Sequence, residues 1–509
     1  MIFIKRIISF SECLAFILLF AILLALGSCA GDNGNTANQT EPQDNQAADS
    51  SGGDSDSGLE DATEKILPNV PDDRDFGGYE FTFLGNGTAY NSYWYSKDIY
   101  VEEETGDTIN DAVYARNRAI EEKYNITIKG VFTGTQYNDA KKSINSGDGT
   151  YDAFTVPLQG ATASLAQEGL LMDLKKAPYI DLDKPWWDQR ANEQLSINHK
   201  LMFTISDLLI IDKDALFIFL FNKDVIQEHG LEDPYQLVKK GTWTIDKMWD
   251  MAKGLPKDVD GNGILDDKDA YRLLLANHTM HGNVVSSGQL VITKDQNDLP
   301  ELNIAHPLIQ ASTERWLEII NDKENTWVAN VWASRHADIW MYQLEVLSEK
   351  RGLWLYAGMD RVTTLRTFDF NFGILPNPKF DETQTDYYNH VHAWCTTAVS
   401  IPITSDPERT GMVLEALTGE SYYTLRPAYY DVSLKTKFMR DDESGEMLDL
   451  IFDTRCYDLG HVYNWGGVFD LFVSLPTQKN KEFVSSYERI LPKIEADMQK
   501  AIDNFLEAD

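Results

Sequence analysis

The sequence predicts an α/β protein built as two lobes. Three observations carry that prediction. Segments with strand-type patterning and segments with helix-type apolar spacing take turns along the chain, as in sheets flanked by helices. Roughly 430 residues follow the last low-complexity stretch, more than one hydrophobic core usually serves. Beyond the N-terminus, no apolar run approaches the ~18 residues that a spanning helix needs.

The elements follow in order. Phe76 to Leu84 alternates apolar and polar residues after a Gly pair and reads as a first strand. Thr108 to Tyr124 carries apolar residues at helical spacing, with Asp107 or Thr108 as its cap. Ile126 to Phe132 is a second strand, 136 to 146 a helix, and Tyr151 to Val156 a third strand. A short helix over Ala161 to Gly169 leads to Leu170-Leu171-Met172. Met202 to Phe221 reads as two buried strands meeting at the polar turn Asp212-Lys213-Asp214. Asn222-Lys223-Asp224 opens a helix, and Trp243 to Lys253 forms another, capped by Thr244, with Trp243 and Trp249 as packing residues. Phe370 to Pro376 is a strand closed by Pro376 and Pro378. A last helix over Lys493 to Leu506 buries Ile494, Met498, Ala501, Ile502 and Phe505.

The N-terminus has a different character. Lys5 and Arg6 precede an apolar run from Leu14 to Leu26, then Gly27, Ser28 and Cys29. A basic start, an apolar core and small residues at the cut mark an export signal over residues 1–28. Leu26-Gly27-Ser28-Cys29 resembles a bacterial lipobox, which implies cleavage before Cys29, acylation of its thiol, and attachment to the outer face of a membrane. An ordinary secretory signal with a chance cysteine is the plainer alternative. Gly, Asp, Asn, Ser and Gln then dominate to residue 65, and such a stretch cannot bury enough apolar surface to offset its ordering entropy. Residues 29–70 therefore read as a flexible tether, with the body starting near Pro71 or Phe76.

The chain has 45 Lys+Arg against 80 Asp+Glu, a formal net charge of −35. That balance disfavours nucleic acid and anionic headgroups as partners. Cys395 and Cys456 could form one disulfide outside the cell or stay apart as buried thiols. There is no CxxC, HExxH or P-loop motif.

Several segments together resemble the lipid-anchored extracellular solute-binding proteins of bacterial ABC importers, of the large carbohydrate-binding, maltose-binding-like type. They are DFGGYEF (75–81), GDTINDAVYARNRAIEEKYNITI (106–128), YDAF with GLLMDL (151–174), LFIFLFNKDV (216–225), GTWTIDKMWDMAK (241–253), DVDGNGILDDKDAY (258–271) and FGILPNPKFDETQTDYY (372–388). The resemblance implies a two-lobed periplasmic-binding-protein-like fold with crossing hinge strands and an interlobe cleft. Lobe 1 would comprise 71–210 and 376–425, and lobe 2 would comprise 211–375 and 426–509. Crossings would fall around Asp212 to Asp214, at 370–377 and near 423–432. It also implies a monomer that captures a carbohydrate and delivers it to ABC permease membrane subunits, without catalysis and without binding ATP itself.

Asp258 to Asp269 (DVDGNGILDDKD) is the sharpest local motif. Asp258, Asp260, Asn262, Asp266 and Asp269 fall at positions 1, 3, 5, 9 and 12 of a calcium loop. Gly263 falls where that loop turns sharply, and Ile264 would offer its carbonyl. Position 12 is Asp rather than the longer bidentate Glu, and Asp267 is an alternative there. The expected cofactor is a structural Ca2+; a metal-free Asp/Gly turn is the alternative.

Sugars present apolar CH faces beside hydroxyl edges, so a sugar site combines flat rings with carboxylates, amides or Arg. The chain has 12 Trp, 23 Tyr and 23 Phe. Candidate ligand-binding residues are Tyr93, Trp94, Trp332, Trp340, Tyr430, Tyr463 and Trp465, with Trp186-Trp187 a further candidate loop. Trp94, Tyr463 and Trp465 stand out because polar neighbours flank each in a Gly- or Asn-bearing segment; core packing is the alternative for any one ring. Gln159, after the third strand, and Asp212, near the first crossing, are candidate polar partners. His390 and His392 alternate beside Trp394 and read as satisfied structural histidines, not as a zinc site or a catalytic base. A surface glycoside hydrolase would need two carboxylates across the scissile bond, and no motif places them. A non-transport adhesin or scaffold is the other alternative.

Overall fold

The structure, a computed structural model, describes residues 65–255, 257–436, 442–478 and 482–507. Cys29, the signal over 1–28 and the tether up to residue 64 lie outside the described residues.

Two separate sheets organise the body. The strands are β1 (Tyr79–Asn86), β2 (Ile126–Thr133), β3 (Ala153–Pro157), β4 (Phe217–Asn222), β5 (Tyr271–Leu275), β6 (Ile292–Lys294), β7 (Pro300–Leu302), β8 (Thr326–Val328), β9 (Gly352–Gly358), β10 (Phe372–Leu375), β11 (Asn389–His390), β12 (Thr397–Ser400) and β13 (Arg455–Cys456). The first sheet has the order β12-β3-β1-β2, and the second the order β10-β4-β9-β5-β8. In the first, β1 runs parallel to β2 and β3, while β12 is antiparallel to β3. In the second, β5 runs parallel to β8 and β9, while β4 is antiparallel to β9 and β10.

Local chemistry explains the elements. All six residues of β4 are buried, as expected of a strand that reads as one apolar run with both faces covered. Each Phe, Leu or Ile buried there contributes ~1.5–3 kcal/mol relative to exposure. Asp107 caps the helix Thr108–Tyr124, accepting from the N–H groups of Ile109 and Asn110, and Asn125 closes it in a left-handed conformation. Thr244 caps Ile245–Met251, and Trp243 beside it is fully buried, its indole N–H donating to the Pro376 carbonyl at 2.9 Å.

Two of the stretches that carry the chain between the sheets run beside one another. Thr204 bridges Val399, and Leu216 bridges Val391, both antiparallel. The run from Met202 to Phe221 is one strand rather than two: before β4 it holds isolated bridges and the single-turn helix Ile211–Asp214. That turn forms because Asp98 accepts from the N–H groups of Ile210 and Ile211 where the chain enters it. The return passage also lies later than 370–377. Residues 372–375 are β10, paired to β4 in the second sheet, and the first sheet is regained only at β12.

The body begins before Pro71. The Tyr423 hydroxyl donates to the Ile66 carbonyl at 3.0 Å, Val70 packs on the core, and a Cβ on Gly419 would meet the Pro68 ring at 3.3 Å. The last helix is longer than read, Phe483–Glu507, and runs through Pro492. Cys395 and Cys456 are separate buried thiols. Among the described residues no helix is long and apolar enough to cross a membrane.

Candidate functional site

Parallel strands release their loops at the carboxyl end, and in open α/β sheets ligands bind there. One cavity of about 400 Å³ lies at this end of both sheets. The loop after β1 supplies Asn91, Tyr93 and Trp94, and the loop after β3 supplies Gln159. From the second sheet come His278 after β5, and Asp360 and Arg361 after β9, while Trp340 and Gln343 sit on the helix Ile339–Ser348. The return passage adds His392 and Trp394, and Phe469 closes one side.

The wall is set locally. Asn91 Oδ1 accepts from the N–H groups of Tyr93 and Trp94 at 2.8 and 3.3 Å, a side-chain turn that presents both rings. Trp94 is 6% exposed, so it is a wall built into the core rather than a free flap. Its ring lies against Gly358, where an added Cβ would meet Trp94 at 3.2 Å and Asp360 Oδ1 at 2.5 Å, so a side chain there would close this corner. Tyr93 donates to Asp338 and carries the Arg361 guanidinium 4.3 Å over its ring. Gln159 is aimed by Gly160 at φ 87, which lets the chain reverse after β3, and its N–H donates to the Ala393 carbonyl at 3.0 Å.

Asp360 is the polar group that sequence reasoning missed. Burial pushes its carboxyl up to about 6; Arg361 beside it opposes the shift and the Asp214 carboxylate adds to it. Arg361 lies 3.4 Å away, yet Asp360 Oδ1 has no hydrogen-bond partner. Asp360 lines the aromatic cavity, and a carboxylate there suits a ligand hydroxyl. No motif marks Asp360. Its signal is positional: it follows directly on β9, which reads as a strand once Gly352 to Gly358 is seen to be apolar throughout.

The structure thus brings Tyr93, Trp94, Gln159 and Trp340 to one cavity. An adjoining groove of about 530 Å³ shares Gln159 and Trp394 with it and includes Tyr463. Tyr463 stacks on Trp465 at 4.6 Å, and Trp465 is 3% exposed, its indole N–H donating to Gln167 Oε1 at 2.9 Å. Trp465 is held behind the groove because Gly466 presses on Ile494, where an added Cβ would stand 2.4 Å from the backbone. Tyr430 lines a different hollow of about 580 Å³ with Asp207, Lys213, Arg426 and Arg455. That hollow is larger, but it lies away from the strand ends and its charges answer one another, Lys213 and Arg426 both facing Asp207 at 3.7 and 3.8 Å.

Asp212 is buried against Lys213 at 3.2 Å and lines none of these cavities, and burial raises its carboxyl to about 6. Trp332 lies under Arg335, away from all three. Trp186 and Trp187 are almost fully buried at the wall of the Tyr430 hollow, and both indoles donate to Glu415, at 3.1 and 2.9 Å.

The acidic loop converges. One carboxylate oxygen each from Asp258, Asp260 and Asp269 lie within 4.8 Å of one another, Asp269 being fully buried. Gly261 and Gly263 take φ 71 and 77, and their N–H groups donate to Asp258. Three carboxylates gathered so closely repel one another unless a cation joins them, so the donor set fits a hard divalent ion. Asn262 and Asp266 are turned to backbone N–H groups, those of Ile264 and Lys268. Asp267 is not a substitute ligand: it pairs with Arg335 at 2.6 Å and with His336 at 2.7 Å.

No protein-family profile matches this chain. No curated protein is detectably similar to it in sequence. Solved structures are similar in fold. An ABC substrate-binding protein from Listeria monocytogenes in complex with cycloalternan superposes with TM-score 0.53 at 11% identity, over 82% of this chain and 99% of that one. A cyclo/maltodextrin-binding protein complexed with maltotetraose gives TM-score 0.53 at 13% identity, over 83% and 97%. The apo form of RafE from Streptococcus pneumoniae gives 0.50 at 13%, over 84% and 98%. The fold is therefore the two-lobed, periplasmic-binding-protein-like α/β fold.

Proposed function

We propose that this protein is the substrate-binding component of an ABC importer, and that it captures a carbohydrate, an oligosaccharide in size. One observation carries the reading: the cavity at the carboxyl ends of both sheets joins aromatic faces, Trp94, Tyr93 and Trp340, to the carboxylate of Asp360. Rings cover the CH faces of a sugar while Asp360, Arg361, Gln159 and Asn91 take its hydroxyls. The similar solved structures in complex with cycloalternan and with maltotetraose support the same class of ligand. The volume and the adjoining groove suit more than one sugar ring.

The mechanism is binding without catalysis. The ligand bridges the two lobes, the closed form is favoured by its contacts to both, and the membrane permease reads the closed geometry. Cys29, acylated after signal cleavage, holds the protein at the outer face of the membrane through the tether, and mass spectrometry of the mature N-terminus tests this. A Ca2+ held by Asp258, Asp260 and Asp269 stiffens the loop that precedes β5. Thermal unfolding against oligosaccharides, sugar acids and peptides tests the ligand class. A midpoint raised by one sugar series supports the reading; a midpoint raised only by peptides overturns it.

A further inference from the structure

Three histidines far apart in sequence meet in the core beneath the cavity. His281 lies on the helix Met280–Val285, His390 on β11 and His461 on the helix Leu459–Tyr463. They are 0%, 1% and 0% exposed, and one ring nitrogen from each lies within 4.8 Å of the others. His461 Nδ1 stands 3.2 Å from His390 Nε2. Two nitrogens bound to one tetrahedral zinc at 2.0–2.1 Å are separated by ~3.3 Å, so this pair already has ligand spacing.

Hydrogen bonding accounts for only one contact of the cluster, the one between His461 Nδ1 and His390 Nε2. His281 has no partner at either ring nitrogen, and His461 has none at Nε2. An unmet buried polar atom costs about 1–3 kcal/mol, and one bound ion would satisfy several of these nitrogens at once. Asp458 Oδ2 lies 3.7 Å from His281 Nε2, an acidic group beside the ring, as metal-ligating imidazoles commonly have.

We propose that His281, His390 and His461 bind a single divalent transition-metal ion, with zinc the best match to three imidazoles. The ion fastens the second-sheet helix at 280–285 to the return passage at β11 and to the helix at 459–463. It also fixes a wall of the cavity, because Phe469 stacks on His461 at 3.8 Å and 6°. This site is chemically distinct from the all-oxygen loop at 258–269, and the two select different ions.

The test is to strip the purified protein with phenanthroline, which leaves calcium alone, and reload it with zinc or cobalt in excess calcium. About one equivalent of zinc is expected to survive gel filtration, and cobalt is expected to give the intense visible bands of four-coordinate geometry. His281→Gln and His461→Gln are each expected to cut retained zinc at least ~10-fold. The proposal is overturned if the folded wild type keeps less than about a tenth of an equivalent and shows no such bands. It is equally overturned if either folded variant retains zinc as the wild type does. Should a variant not fold, the wild-type cobalt spectrum decides alone.

Discussion

Tyr93, in the loop after the first strand of one sheet, donates its hydroxyl to Asp338, which caps a helix flanking the other. Tyr93 lines the cavity, and Arg361 lies over the same ring. Asp338 is exposed, so solvent screens the contact. Tyr93→Phe is expected to weaken sugar binding by about two- to fivefold, the equivalent of ~0.5–1 kcal/mol. The unfolding midpoint without ligand should stay unchanged. Calorimetric titration with unfolding of the same sample checks both.

Trp340 and Trp465 should separate cleanly. Trp340 is half-buried at the cavity, so Trp340→Ala is expected to cost affinity at least ~10-fold with little loss of stability. Trp465 is buried behind the groove, so Trp465→Ala is expected to lose about 3–5 kcal/mol of stability. Urea unfolding measures the second effect. An unchanged unfolding curve for Trp465→Ala would mean that this ring is not packed as described.

Asp360 predicts a pH dependence. Its carboxyl is raised from 3.8 to about 6, chiefly by burial. The folded state therefore binds this proton more tightly than the unfolded state. The stability it contributes is present below about pH 4 and is lost as pH rises through about 6. Asp360→Asn is expected to stabilise the protein at pH 8, by on the order of 2 kcal/mol, and to make no difference near pH 4. The same variant should bind sugar more weakly. Unfolding at the two pH values reads the first effect, and a stabilisation that persists at low pH would refute it.

The calcium loop predicts a chelator effect. Removing calcium is expected to lower stability by about 1–2 kcal/mol relative to millimolar calcium. Asp258→Asn with Asp260→Asn should abolish that difference. Scanning calorimetry with and without EGTA provides the comparison.

Much of this was legible in the sequence, for physical reasons. Local patterning placed β1, β2, β3 and the helices between them because each carries its own alternation, spacing and cap, as Asp107 and Thr244 illustrate. Tyr93, Trp94 and Gln159 could be picked because loops after parallel strands point to one edge. What was illegible depends on contacts between distant segments. Trp465 has the polar neighbours of a site residue, yet Gly466 lets it pack against the last helix, which no local pattern announces. Asp360 has no motif, and its worth comes from the charges and rings that surround it. His390 and His392 read as satisfied structural residues because His281 and His461 arrive only through the tertiary fold.

Titration calorimetry of an oligosaccharide panel against wild type and Trp340→Ala in parallel tests the central claim most directly. The expected result is saturable binding of one sugar series to wild type, at least ~10-fold weaker in the variant. Saturable sugar binding that Trp340→Ala leaves unchanged would contradict the placement of the ligand at the carboxyl ends of the two sheets.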